Sequence, residues 1–251
     1  MPELATLERE GPTATLTMRR PDARNALSLP LLDAIHDRLD EFEAEQSGPH
    51  VLVFTGEGRA FCAGMDLKSV LGDPDAPPRL LGRIAELTVR LRRLSAVVVA
   101  RVNGAAIGGG CGLACACDLV ASHADAKLGF PEVDLGVCPA VVAPVLARKV
   151  GHGPARAILL RGGLMSGEAA RDAGIVDALA ADRDALDACV AEVVDRLASG
   201  GPNALAATKR LLAELDGSAD PELAQRAADL SASVLASPDA RDRLAAAFQK
   251  A

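Results

Sequence analysis

The chain of 251 residues contains no tryptophan, no tyrosine and only five phenylalanines. It therefore has few rings on which unstacked bases could lie, and single-strand nucleic-acid binding by stacking is excluded. It also lacks an excess of positive charge. A net charge of -7 argues against a broad basic face for a phosphate backbone. No apolar run reaches the roughly 18 residues of a membrane span. The start, MPELATLEREG, has no basic stretch followed by an apolar one. No membrane partner and a cytoplasmic location are the expectations. The six cysteines do not form a disulfide framework. Cys111, Cys115 and Cys117 cluster, but no histidine or second cysteine pair stands at zinc spacing. They read as small buried thiols on a helix. No serine occupies a G-x-S-x-G elbow.

What is present is an ordinary globular balance, 49% apolar and 24% charged. The length suits one large domain, or a domain with a helical annex. Residues 12–18 alternate as a half-buried strand. Ser28 reads as an N-cap with Pro30 in the first turn, followed by Leu31, Leu32, Ile35, Leu39 and Phe42 at helical spacing. Residues 51–55 and 96–102 read as buried strands. The stretch 69–82, rich in Pro, Gly and Asp, reads as a loop, and 83–94 as a helix. Short elements follow near 127–130, 139–148 and 166–174. Beyond about residue 183 the pattern is helical. This order predicts an α/β core over 1–182 and a helical region over 183–251. Arg79, Arg83, Arg90, Arg92 and Arg93 form either a local phosphate patch or a solvated helix face. His123 and His152 have no motif partner and read as surface or capping residues.

The segment VVVARVNGAAIGGGCGLACACDLV reads as a strand, a glycine turn and a helix. Glycine lets a ligand approach the backbone, and a helix start offers unpaired amides. Three uses compete: a dinucleotide fingerprint, close packing, and a hole for an oxyanion. Gly108, Gly110 and Gly112 do not spell G-x-G-x-x-G. A second unit, GEGRAFCAGMDL, repeats the theme about 45 residues earlier, with Ala63 and Gly64 after a strand. Two such turns can each aim one amide at a single oxygen, as a thioester enolate requires.

These residues resemble the crotonase, or enoyl-CoA hydratase/isomerase, family. The resemblance runs through RPDARNALS (20–28), AFCAGMDLKS (60–69), NGAAIGGGCGLACACDL (103–119), LGFPEVDLGVCPA (128–140), MSGEAARDAGIVD (165–177) and NALAATKRLL (203–212). It implies a spiral of ββα units, with a C-terminal helical region that forms trimers, commonly paired into hexamers. It implies an acyl-CoA substrate and no metal or redox cofactor. By motif, the oxyanion amides would be those of Met65 and Gly109. Arg24, Ala26, Leu27, Ala63, Gly64, Asp66, Leu67, Lys68 and Gly108 would line the coenzyme A path. Phe248 and Lys250 lie where the family's last helix can reach a neighbouring subunit's ligand.

Two-carboxylate hydratases of this family carry one Glu after the glycine turn and another about 20 residues later. Here those positions hold Gly112 and Glu132. A lone Glu132 can orient water and return its proton, acting as base and then acid. Burial beside apolar substrate would raise its pKa to suit both roles. The pattern is closest to bacterial single-glutamate enoyl-CoA hydratases. A 3-enoyl to 2-enoyl isomerase, needing one base, is the first alternative. A non-catalytic acyl-CoA binder is the second. Asp66 and Asp118 read as structural, and Asp134 as a second carboxylate only if its strand is extended. Acyl specificity is expected from 69–82, 83–94 and 138–146, with Arg79 or Arg83 facing a carboxylated acyl group.

Overall fold

The computed structural model describes residues 3–45, 48–67 and 75–249, with side chains as far as 246. Its strands are β1 (Ala5–Glu10), β2 (Thr13–Met18), β3 (Val51–Gly56), β4 (Ala60–Cys62), β5 (Val97–Val102), β6 (Ala105–Ile107), β7 (Leu119–His123), β8 (Lys127–Gly129), β9 (Leu164–Ser166) and β10 (Ala178–Ala180). Its helices are α1 (Leu29–Glu43), α2 (Ala76–Arg93), α3 (Gly109–Ala116), α4 (Ala143–Val150), α5 (His152–Arg161), α6 (Gly167–Asp172), α7 (Leu186–Ala198), α8 (Pro202–Asp216), α9 (Pro221–Leu235) and α10 (Pro238–Gln249).

Strands β1-β2-β3-β5-β7-β10 form one sheet in that order, and β4-β6-β8-β9 a second. The chain alternates between them. β3, β5 and β7 enter the large sheet in parallel, and each is followed by a short strand of the small sheet, β4, β6 or β8. After β4 and β6 a helix returns the chain. This is the expected spiral of ββα units. The central strands are apolar because they are covered on both faces: every residue of β3 is buried, as are five of six in β5.

Helix α1 begins as its sequence predicts. The Ser28 hydroxyl accepts from the Leu31 amide, and Leu31, Leu32, Ile35, Leu39 and Phe42 face the core. Helix α2 is longer than expected. It starts at Ala76, so 76–82 is helix rather than loop. Pro77 and Pro78 misled the reading, since proline is tolerated in a first turn whose amides lack helical partners. Helix α4 begins at Ala143, four residues beyond Pro139. His123 is not at the surface. It is 6% exposed at the end of β7, and burial lowers its pKa. His152 is exposed in the first turn of α5.

The C-terminal helices return onto the body. Helix α9 packs along α2, and Ala228, Leu235 and Leu244 join the main core. Helix α8 is pinned by Lys209, which is 6% exposed. Its ammonium donates to the Leu91 and Ala96 carbonyls at 2.9 and 2.8 Å and lies 2.7 Å from Asp118. Asp118 also accepts from the Val98 amide at 2.8 Å and from Arg92 at 3.1 Å, so its role is structural. Without Lys209, Asp118 keeps Arg92 and the Val98 amide, but the Leu91 and Ala96 carbonyls lose their donor. Lys209→Ala is therefore expected to lower unfolding free energy by about 1–3 kcal/mol in denaturant titration. A loss below 1 kcal/mol would show that α8 is held by packing alone.

Candidate active site

The loop after β4 and the turn after β6 meet back to back. Leu27 bridges Met65 in parallel register. The Leu27 amide donates to the Gly64 carbonyl at 2.7 Å, and the Asp66 amide to the Leu27 carbonyl at 2.8 Å. Those bonds occupy the residues on either side of Met65. Its own N–H consequently points away from Leu27, by strand alternation. Gly64, at φ +89°, is where the second turn comes in. A Cβ there would stand 2.7 Å from the Ile107 carbonyl and 3.7 Å from the Gly109 nitrogen. Gly109 is the first residue of α3, whose first helical bond runs from the Gly112 amide to the Gly108 carbonyl at 2.9 Å. Its N–H belongs to the unpaired set at a helix start.

Both turns line one cavity of about 110 Å³. Ala63, Gly64, Met65, Leu67, Gly108 and Gly109 line it together with Glu132. Leu81 and Ile84 of α2, Val141 and Val142 before α4, and Ser231 of α9 complete apolar walls. Glu132 stands in a 3-10 turn, Pro131–Leu135. Its carboxyl presses on Gly108: a Cβ there would lie 2.8 Å from Glu132 Oε1, and Gly108 has φ +55°. Only glycine serves at this contact. Glu132 Oε2 is buried with no hydrogen-bond partner among the described residues. Burial pushes the Glu132 carboxyl up to about 7 from its ordinary 4.5.

The other expected residues divide. Leu27 is fully buried beneath the site, Ala26 is half-buried and Arg24 exposed. The Arg24 carbonyl accepts from the Ala63 amide at 3.0 Å, which ties the first loop to the turn after β4. Asp66 is 2.7 Å from Arg20 and does not line the cavity. Lys68 and Lys250 lie outside the described residues, as does the side chain of Phe248. Asp134 is exposed and accepts from the Gly163 amide at 3.0 Å. Because its segment turns, it does not share the face of Glu132. Arg79 and Arg83 are turned away from the cavity, on the side of α2 opposite Leu81 and Ile84. Arg83 pairs with Asp33 and Glu86 at 2.8 and 2.6 Å, so neither arginine faces the acyl space. Cys62 and Cys111 are fully buried, and burial raises the Cys62 thiol to about 12.

The Gly112 position is occupied from outside. A Cβ there would meet Val142 Cγ1 at 2.3 Å. Val142 thus fills the space that a second carboxylate would need. Sequence reading missed this packing, and it missed Ser231, a serine in an alanine-rich helix without a motif around it.

Two sheets wound as a spiral bring two backbone turns and one carboxyl together at an apolar cavity. The enoyl-CoA hydratase/isomerase family model matches residues 8–246, and the chain belongs to that family. It is 34% identical to a 2,3-dehydroadipyl-CoA hydratase from Escherichia coli K12 over 198 residues, 78% of this chain and 76% of that protein. It is 31% identical to an enoyl-CoA isomerase/hydratase from Mycosarcoma maydis, over 94% and 89% of the two chains. The crystal structure of an enoyl-CoA hydratase from Mycobacterium avium superposes with a TM-score of 0.88 at 28% identity, covering all of this chain and 98% of that one. Among the described residues, no helix is long and apolar enough to cross a membrane.

Two outcomes follow from this geometry. The folded carboxyl of Glu132 keeps its proton to higher pH than an unfolded one. The folded state therefore binds more protons between about 4.5 and 7, and stability falls as pH rises through that window. Glu132→Gln is expected to gain on wild type by up to about 3 kcal/mol above pH 7, read from paired denaturation curves; parallel curves would contradict the shift. Gly112→Glu is expected to cost roughly 1–3 kcal/mol by overpacking. Val142→Ala in the same chain should recover part of that loss, and no recovery would mean that Val142 is not the obstacle.

Proposed function

We propose that this chain adds water to a 2-enoyl-CoA. The observation that carries the reading is the placement of the Glu132 carboxyl in the same cavity as Met65 and Gly109. The thioester oxygen accepts from the Met65 and Gly109 amides, which stabilise the enolate as charge moves onto it. Glu132, as carboxylate, takes a proton from the water that attacks the β carbon. It then returns that proton to the α carbon, and atoms and charge balance. A carboxyl titrating near 7 is suited to both steps at neutral pH. Arg24, Ala26, Leu27, Ala63, Gly64, Asp66, Leu67, Lys68 and Gly108 are the residues this reading assigns to coenzyme A binding. Coenzyme A arrives with the substrate, and the steps use no metal or redox cofactor.

We further propose that residues 1–182 form the catalytic core and 183–251 the oligomerisation region. The unit is a trimer or a pair of trimers, and no nucleic acid or membrane takes part. Leu211, Leu212 and Leu215 support an interface on α8, being 55, 53 and 76% exposed. A cytoplasmic location fits the same reading.

One observation favours a second reading. Val142 fills the space beside Gly112, and a site with one carboxyl suits a 3-enoyl to 2-enoyl isomerase, which moves a single proton. Product analysis separates the two: a 3-hydroxyacyl-CoA marks the hydratase, and a shifted double bond without water uptake marks the isomerase.

Turnover is read as loss of the conjugated enoyl-thioester absorbance. The kcat/KM of wild type is expected to rise with pH through an apparent pKa near 7. Glu132→Gln should lose about 100-fold or more in kcat while still binding acyl-CoA. Undiminished turnover in that variant would remove Glu132 from the mechanism. Acyl-CoA binding with no turnover of any enoyl thioester would leave a non-catalytic binder.

A further inference from the structure

The cavity has an unusual wall. Val137, Cys138 and Pro139 line it on one side, and the same three residues line an apolar groove of about 830 Å³ on the other. The groove runs between α5 and α9, with Ala155, Leu159, Ala227, Leu230 and Val234 along it. Helix α9 serves both spaces. Ala227, Leu230 and Val234 face the groove, and Ser231 faces the cavity. Ser231 is 1% exposed, and its hydroxyl donates to the Cys138 carbonyl at 2.9 Å. That bond fastens the wall to α9 where the two spaces meet.

The cavity itself is small. At about 110 Å³ it falls below the roughly 150 Å³ that holds a benzene ring. With the thioester seated at the two amides, the space that remains suits a short acyl chain. Among the described residues, the apolar space next to the cavity lies past this wall.

We infer that the Ser231–Cys138 hydrogen bond sets acyl-chain length, closing the cavity to all but short-chain acyl-CoA and holding longer chains out of the groove between α5 and α9. This rests on the acyl-CoA reading above, and it assigns Ser231 as a specificity residue that touches no reacting atom. Releasing the bond lets the 137–139 segment move and joins the two apolar spaces.

The test is the affinity of saturated acyl-CoAs from four to twelve carbons, measured by calorimetry; no hydration consumes these ligands. Each methylene that enters apolar space strengthens binding by about fourfold. In wild type the gain is expected to stop at about four to six carbons. In Ser231→Ala, and in Ser231→Cys, which keeps the volume but donates weakly, it should continue to longer chains. A steady rise to twelve carbons in wild type overturns the inference without any variant. An unchanged break point in folded variants overturns it as well. Failure of every acyl-CoA to bind would instead sink the functional reading on which it stands.

Discussion

Everything at the site depends on two backbone segments touching where side chains would keep them apart. A Cβ on Gly64 would stand 2.7 Å from the Ile107 carbonyl oxygen and 3.7 Å from the Gly109 nitrogen. Any side chain there would push the loop after β4 away from α3 and separate Met65 from Gly109. The two sheets exist, in functional terms, to make this contact. β3 and β5 run side by side in the large sheet, β4 and β6 in the small one, so their following turns come to the same point. In the proposed function the donors are main-chain amides, which need no side-chain ordering and are held by the sheets behind them.

The single carboxyl follows from packing around that contact. Glu132 is seated against Gly108, in an apolar cavity with no partner for Oε2 among the described residues. The protein bears the cost of this buried acid as a raised pKa, and gains a group that exchanges protons near neutrality. Val142 occupies the place of a second acid beside Gly112. In the proposed function, one group then serves both directions of proton transfer, whether the product is a hydroxyacyl thioester or a shifted alkene.

Much of this was legible in the sequence, for identifiable reasons. Strands β3 and β5 are continuous apolar runs, and α1 carries its own cap and stripe. The glycine turns and Glu132 sit in stretches whose chemistry is local. Other elements carry too few residues to show a period: β4, β6, β8, β9 and β10 have three each. The start of α2 was hidden by Pro77 and Pro78, which read as loop but fit a first turn. The cavity walls were hidden for another reason. Val142 against Gly112, and Ser231 against Cys138, join residues 30 to 93 positions apart, and nothing local in the sequence marks such contacts. His123, buried at the end of β7, was misread in the same way.

The most direct test of the central claim is a crystal structure with a non-reacting acyl-CoA analogue bound. The thioester oxygen is predicted to lie about 2.7–3.1 Å from both the Met65 and Gly109 amide nitrogens, with the Glu132 carboxyl beside the α and β carbons. A thioester oxygen bonded to neither amide, or an acyl group lying outside this cavity, would contradict the account.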